Sequence, residues 1–269
     1  MEQANFMYLT EEVLPSLGFG EILDERLHQS MKMGLEKIEL KVRDQQPSGE
    51  YLYNVVLEKQ KVNPEDPERE RRYYANRVEV TFKMNGEKEA RQHTFGLYKQ
   101  KGLPLNQMRN LMKGNYVHNS YWKEGVQKQR WQYVDFSKTT EEGVHPMKSI
   151  WADSIEWNLA KELSALPHVN ALSADVKEDL LRAMKNGDNV AASIKMDGSR
   201  QNVMLRANPK KSAIEIFKPD GEKISLGKKT GLSVVNDGQM GSKNLKAASE
   251  LVTDAFDDDS GSKKKVKRG

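Results

Sequence analysis

The chain has 269 residues, with 43 Lys or Arg against 39 Asp or Glu, a formal net charge of +4, and 37% hydrophobic residues. It has no cysteine, which excludes disulfides, thiolate metal sites and a cysteine nucleophile. It has no run of about 18 apolar residues, which excludes a spanning helix and any membrane partner of that kind. Half of the excess charge lies in Asp257–Gly269, where Lys263, Lys264, Lys265, Lys267 and Arg268 outnumber Asp257, Asp258 and Asp259. The remaining body is nearly neutral, so its net charge attracts nucleic acid only weakly. Met1–Gly20 holds Glu2, Glu11 and Glu12 and no basic residue. That is unlike a secretory signal, so a cytoplasmic location is expected.

Phe6, Leu9, Val13 and Leu17 recur at helical spacing, which predicts a helix over Asn5–Leu17, broken or shortened by Pro15. A second helix is expected over Glu21–Met33, ending at Gly34 and completing a helical hairpin. Period-two alternation then predicts strands over Lys37–Arg43, Tyr51–Leu57 and Arg72–Met84. Asn85-Gly86 reads as a hairpin turn into a strand over Ala90–Tyr98. Leu105–Met112 reads as a short helix, and Tyr116–Trp122 and Gln129–Phe136 as strands closing the same region. Ser137–His145 lacks periodicity and is expected to be a boundary.

Beyond it, Ser154–Leu166 and Ala174–Met184 read as helices, the second with Asp175 and Glu178 at capping-box spacing. Val190–Met196, Gln201–Ala207 and Ala213–Phe217 read as a β-meander. The expected fold class is α+β: a helical hairpin with a mainly antiparallel sheet over 1–136, then a smaller helix-helix-meander unit over 146–225. Residues 226–269 read as a flexible basic tail, with one short helix over Leu245–Phe256. VTFKMNG (80–86) and ASIKMDG (192–198) echo one another, which shared hairpin grammar explains more simply than duplication.

Lys195-Met-Asp-Gly-Ser-Arg200 has the KxDGxR spacing by which nucleic-acid ligases and capping enzymes present a nucleophilic lysine. The same residues read as a two-residue turn between strands, with Lys195, Ser199 and Arg200 facing water. Asp220, Glu222, Lys228 and Lys229 are the only candidates for the rest of such a site, and they fall in a turn and a polar stretch. The hairpin reading is preferred, and nucleotidyl transfer through Lys195 is the remote alternative. His28, His93, His118, His145 and His168 show no metal-binding spacing. His93 and His118 are expected on the N-terminal sheet. No Gly-rich phosphate loop is present, and no cofactor, metal or catalytic residue is expected.

The basic-aromatic stretches are more informative. One is Arg69, Arg71, Arg72, Tyr73, Tyr74 and Arg77; the other is Tyr116, Tyr121, Trp122, Lys123, Lys128, Arg130, Trp131 and Tyr133. Single strands are held by stacking on aromatics beside cations, although an antiparallel sheet also produces such alternation when one face is merely solvated. The residues expected to touch nucleic acid are Arg72, Arg77, Trp122, Lys128, Arg130 and Trp131, with Lys263, Lys264, Lys265, Lys267 and Arg268 of the tail.

The motif order resembles an uncharacterised family of proteins carried on conjugative and mobilisable elements of Bacteroidota, some fused to or encoded near a type IA topoisomerase. The stretches that carry the resemblance are Leu14–Gly20, Tyr73–Arg77, Gln92–Phe95, Leu105–Gly114, Trp131–Phe136, Lys177–Gly187, Val190–Met196, Arg206–Pro209 and Ile214–Phe217. Relatives carry only a Lys-Asp-Gly or Asp-Gly turn where this chain has KMDGSR. The resemblance carries no catalytic residue with it. It implies a non-enzymatic accessory protein of a mobile genetic element, whose partner is DNA, RNA, a topoisomerase or another DNA-processing protein. The alternative is a protein–protein adaptor or inhibitor acting on a host factor.

Overall fold

The chain begins as one helical run in three segments: α1 (Glu2–Tyr8), a π-helical turn (Leu9–Val13) and α2 (Leu14–Leu17). Pro15 does not break it. The π turn, closed by Leu14 N–H donating to Leu9 O, widens the ladder just before the proline, where a tight turn would meet its ring. Gly18, at φ 93°, ends the run as the left-handed residue of a double cap, with Phe19 N donating to Leu14 O and Gly18 N to Pro15 O. After a turn, α3 (Asp24–Lys32) completes the hairpin. The computed structural model describes residues 2–66, 70–123, 125–166, 173–196, 199–224 and 231–233, and the backbone alone for Glu2, Lys123, residues 193–196, 199–200 and 231–233.

The first sheet is antiparallel in the order β1 (Lys37–Gln46), β2 (Gly49–Lys59), β3 (Tyr73–Met84), β4 (Arg91–Gly96). Its register aligns Leu40, Val55, Val78 and Phe95 across four strands, and all four are buried. Each such side chain contributes about 1.5–3 kcal/mol. Tyr51 stacks on Phe82, with centroids 4.1 Å apart. Leu9, Leu14, Leu17 and Leu27 from the helices fill the same core. The opposite face is polar, as alternation dictates. Asn85-Gly86 does turn the chain, with Glu87 N donating to Met84 O. The strands pair only from Phe82 and Arg91, however, so the connection is longer than a two-residue hairpin.

α4 (Leu105–Met112) lies where its spacing predicts, burying Met108, Leu111 and Met112. The next two strands do not join the first sheet. β5 (Val117–Lys123), β6 (Val126–Val134) and β7 (Met147–Trp151) form their own three-stranded sheet. The loop before β7 is tied back to β4, with His145 N donating to Gln92 O, so it covers an edge that β5 would otherwise need. α5 (Leu159–Ala165) follows, capped by the Asn158 side chain. α6 (Ala174–Lys185) is capped by Ser173, whose hydroxyl accepts from Val176 N, and not by the Asp175–Glu178 pair.

The last sheet runs β11 (Lys223–Ile224), β10 (Ala213–Phe217), β9 (Ser199–Asn208), β8 (Val190–Met196), β12 (Gly231–Ser233). The expected meander is present, with two short strands added at its edges. The fold class is α+β. Among the described residues, no helix is long and apolar enough to cross a membrane.

Two hydrophobic cores result. Val117, Val134 and Met147 of the three-stranded sheet belong to the first; Trp131 and Ile150 belong to the second, with Leu159, Leu163, Leu180, Met184, Val203 and Leu205. The middle sheet thus serves both. A polar clasp reinforces the join. The buried Asn110 donates to Asn186 O at 2.9 Å and Asp188 Oδ1 at 2.7 Å, and the buried Asn115 donates to Gly187 O at 2.8 Å. Gly187, at φ 86°, comes so close that a Cβ there would sit 2.9 Å from Tyr116 O.

Candidate nucleic-acid interface

The basic-aromatic residues separate by strand parity. In the three-stranded sheet, Asn119 pairs with Arg130, Tyr121 with Lys128, and Arg130 with Trp151. Paired residues share a face, so Tyr121, Lys128, Arg130 and Trp151 lie together. His118, Trp122, Trp131 and Ile150 occupy the other face. At the end of the sheet near the first core, the Arg130 face is covered through Val117 and Val134. Towards the β5–β6 tip it opens to solvent, with Tyr121 43% exposed.

On that open part Arg130 sits between two rings. Its guanidinium carbon lies 4.8 Å from the Tyr121 centroid and 5.8 Å from that of Trp151, and the rings are tilted 57° to each other. Nε donates to Asn119 Oδ1 at 3.0 Å, which fixes the rotation of the group. Burial pulls the guanidinium below its ordinary pKa and Tyr121 opposes this; the group stays charged, as arginine does. Among the described residues no carboxylate pairs with it. A half-desolvated cation, gripped by two aromatics and beside the exposed Lys128, is equipped to meet a phosphate or the face of a base.

The other predicted contacts divide. Trp131 is 4% exposed and packs on His118 and Trp157 inside the second core, so it is a core residue and not a contact. Trp122 is 66% exposed but lies on the face opposite Arg130. Arg77 is committed to two carboxylates, Glu79 at 2.9 Å and Glu58 at 3.2 Å, which corrects its assignment to phosphate binding. Arg71 likewise pairs with Glu36, and Tyr73 is buried. Arg72 remains outward, lining a cavity of about 110 Å³ with Asn5, Tyr8, Tyr74 and Gln100. Gln100 and its neighbour Lys99 both hold positive φ, 61° and 49°, in the turn beside this cavity. Arg69 and the tail residues Lys263, Lys264, Lys265, Lys267 and Arg268 lie outside the described residues, as do the Leu245–Phe256 helix, His168, Lys228 and Lys229.

KxDGxR falls at a strand junction. Lys195 on β8 pairs with Arg200 on β9, and Met196 with Ser199; Asp197 and Gly198 between them lie outside the described residues. Asp220 and Glu222 form the turn before β11, where Glu222 pairs with Lys218 at 2.5 Å. The echo between 80–86 and 192–198 ends in unlike connections, six residues long in one case and two in the other. His93 lies on β4, with Nδ1 2.6 Å from His145 O; burial lowers its pKa. His118 lies on the three-stranded sheet and not the first; burial, and the charge of Lys185, bring its pKa down to about 4.

Trp151 is the member of the Arg130 face that sequence reading missed, because β7 was not recognised. Its signal is weak: Met147, Ile150 and Trp151 do not alternate. The chain matches no family model, no curated protein and no solved structure.

Proposed function

We propose that this chain is a non-enzymatic accessory protein that binds single-stranded nucleic acid on the open face of its three-stranded sheet. The observation that carries the reading is Arg130, held between Tyr121 and Trp151 with no carboxylate partner among the described residues. Bases would stack on the Tyr121 and Trp151 rings, and Arg130 and Lys128 would take phosphates. Such contacts tolerate any sequence, because every base has a π-face. The resemblance to proteins of conjugative and mobilisable elements supports the same reading, with strands exposed during element processing as substrate. The strand pairing on either side of Asp197-Gly198 supports a structural role for the KxDGxR segment. The test is an electrophoretic shift of a single-stranded oligonucleotide at low and high salt; the reading predicts a shift that weakens with salt and is lost in Tyr121→Ala/Trp151→Ala.

A second reading has its own observation. Trp122, at the β5–β6 tip on the face opposite Arg130, is 66% exposed. It is apolar, carries no charge, and suits a protein partner, whether a DNA-processing enzyme such as a topoisomerase or a host factor. Trp122→Ser would abolish that contact while leaving oligonucleotide binding intact.

A further inference from the structure

The five-stranded sheet carries a charged cluster apart from the Arg130 face. Glu215, in the middle of β10, has a side chain only 5% exposed, yet three cations converge on it. Arg206 Nη2 donates to Oε2 at 2.9 Å, while Lys211 Nζ and Lys223 Nζ both donate to Oε1, at 3.0 and 2.5 Å. Burial alone would push this carboxyl up; hydrogen bonds from Lys223, Arg206, Lys211 and Asn208 outweigh it and bring the pKa down to about 2. The carboxylate is therefore ionised at any physiological pH.

One negative charge does not balance three positive ones. Among the described residues, Arg206, Lys211 and Lys223 form no other ion pair. The ammonium groups of Lys211 and Lys223 are on side chains 61% and 47% exposed. Each has three N–H donors and gives one to Glu215, so the others remain for a ligand. Because both meet on a single oxygen, they stand within the span of one phosphate group. The cluster is also held in place. Arg206 lies over the Phe217 ring at 4.4 Å and donates from Nη1 to Asn115 Oδ1 at 3.2 Å, and its Nε is buried without a partner among the described residues. The 3-10 turn Pro209–Lys211 is capped by Asn208 Oδ1, which accepts from Lys211 N at 3.1 Å, and this fixes the base of Lys211.

We infer that Lys211, Lys223 and Arg206 form a binding site for a phosphate group, with Glu215 as the internal counter-ion that gathers the cations. A purely structural ion pair needs one cation, and the two surplus charges match a phosphate dianion or two neighbouring diesters of a nucleic-acid backbone. The inference stands whether or not the Arg130 face binds nucleic acid.

The test is an amide NMR titration of the full chain with inorganic phosphate at constant ionic strength, chloride being the balancing anion. Saturable shifts are expected at Lys211–Phe217 and Lys223, with affinity reduced roughly tenfold or more in Lys211→Gln/Lys223→Gln and unchanged in Arg130→Ala. A parallel titration uses a single-stranded oligonucleotide without terminal phosphates. Shifts at the same amides assign the site to backbone diesters; shifts with inorganic phosphate alone assign it to a free phosphate or monoester. A second measurement uses Glu215→Gln, whose melting temperature phosphate should restore and chloride should not. Absence of saturable shifts with both probes, or shifts that persist in the double lysine variant, overturns the inference.

Discussion

Arginines 77 and 130 show how little residue type decides by itself. Arg77 projects from the solvated face of the first sheet, and Glu58 and Glu79 claim its donors. Arg130 projects between two rings and keeps donors in hand. Arg130→Ala should therefore weaken oligonucleotide binding roughly tenfold or more, whereas Arg77→Ala should leave it unchanged, as fluorescence anisotropy would show. The tryptophans divide in the same way. Trp131→Ala empties a core site and should cost about 3–5 kcal/mol in chemical denaturation; Trp122→Ala should stay within about 0.5 kcal/mol. None of these differences is legible from spacing alone, because Arg130 and Trp131 are adjacent in the sequence and only the neighbouring strands decide which face is covered. His118 adds a pH dependence. Its folded pKa of about 4 lies below the unfolded value of 6.5, so between them the unfolded chain binds the extra proton and stability falls as the pH is lowered. The loss should be confined to that window and be absent in His118→Gln, read from melts at a series of pH values.

Three elements were legible to the residue: Leu105–Met112, Val190–Met196 and Ala213–Phe217 form with the bounds the sequence predicts. β7 was not, for a physical reason. Met147 packs on the first core and Ile150 on the second, so the strand is apolar on both sides and shows no alternation. Missing β7 hid Trp151 and made β5 and β6 look like members of the first sheet. Pro15 misled in the opposite sense, since a π turn upstream absorbs it. The polar clasp was equally hidden, because Asn110 and Asn115 look like surface residues until the turn after α6 is brought against them. Asn110→Ala should cost about 2–3 kcal/mol through two lost buried hydrogen bonds. Gly187→Ala should cost at least as much, since its Cβ meets Tyr116 O and its backbone is left-handed. Both are measurable by urea denaturation.

At the scale of the whole chain, charge placement matters more than its sum. The net charge of +4 is too small to drive binding at long range, so under the proposed function affinity would come from short-range contacts on the Arg130 face, with the basic tail adding a salt-sensitive part. A face using only two or three phosphate contacts implies a slope of log affinity against log salt of about −2 for single strands. Replacing Lys263, Lys264, Lys265, Lys267 and Arg268 by Gln should flatten that slope without removing the dependence on Arg130. The most direct measurement is an anisotropy titration of a fluorescent single-stranded oligonucleotide at about 50 and 200 mM salt with wild type, Arg130→Ala and Tyr121→Ala/Trp151→Ala. Salt-weakened binding by wild type and a loss of roughly tenfold or more in both variants are expected from the proposed function. Wild type that leaves the oligonucleotide free at the lower salt, or variants that bind it as tightly as wild type, would contradict it.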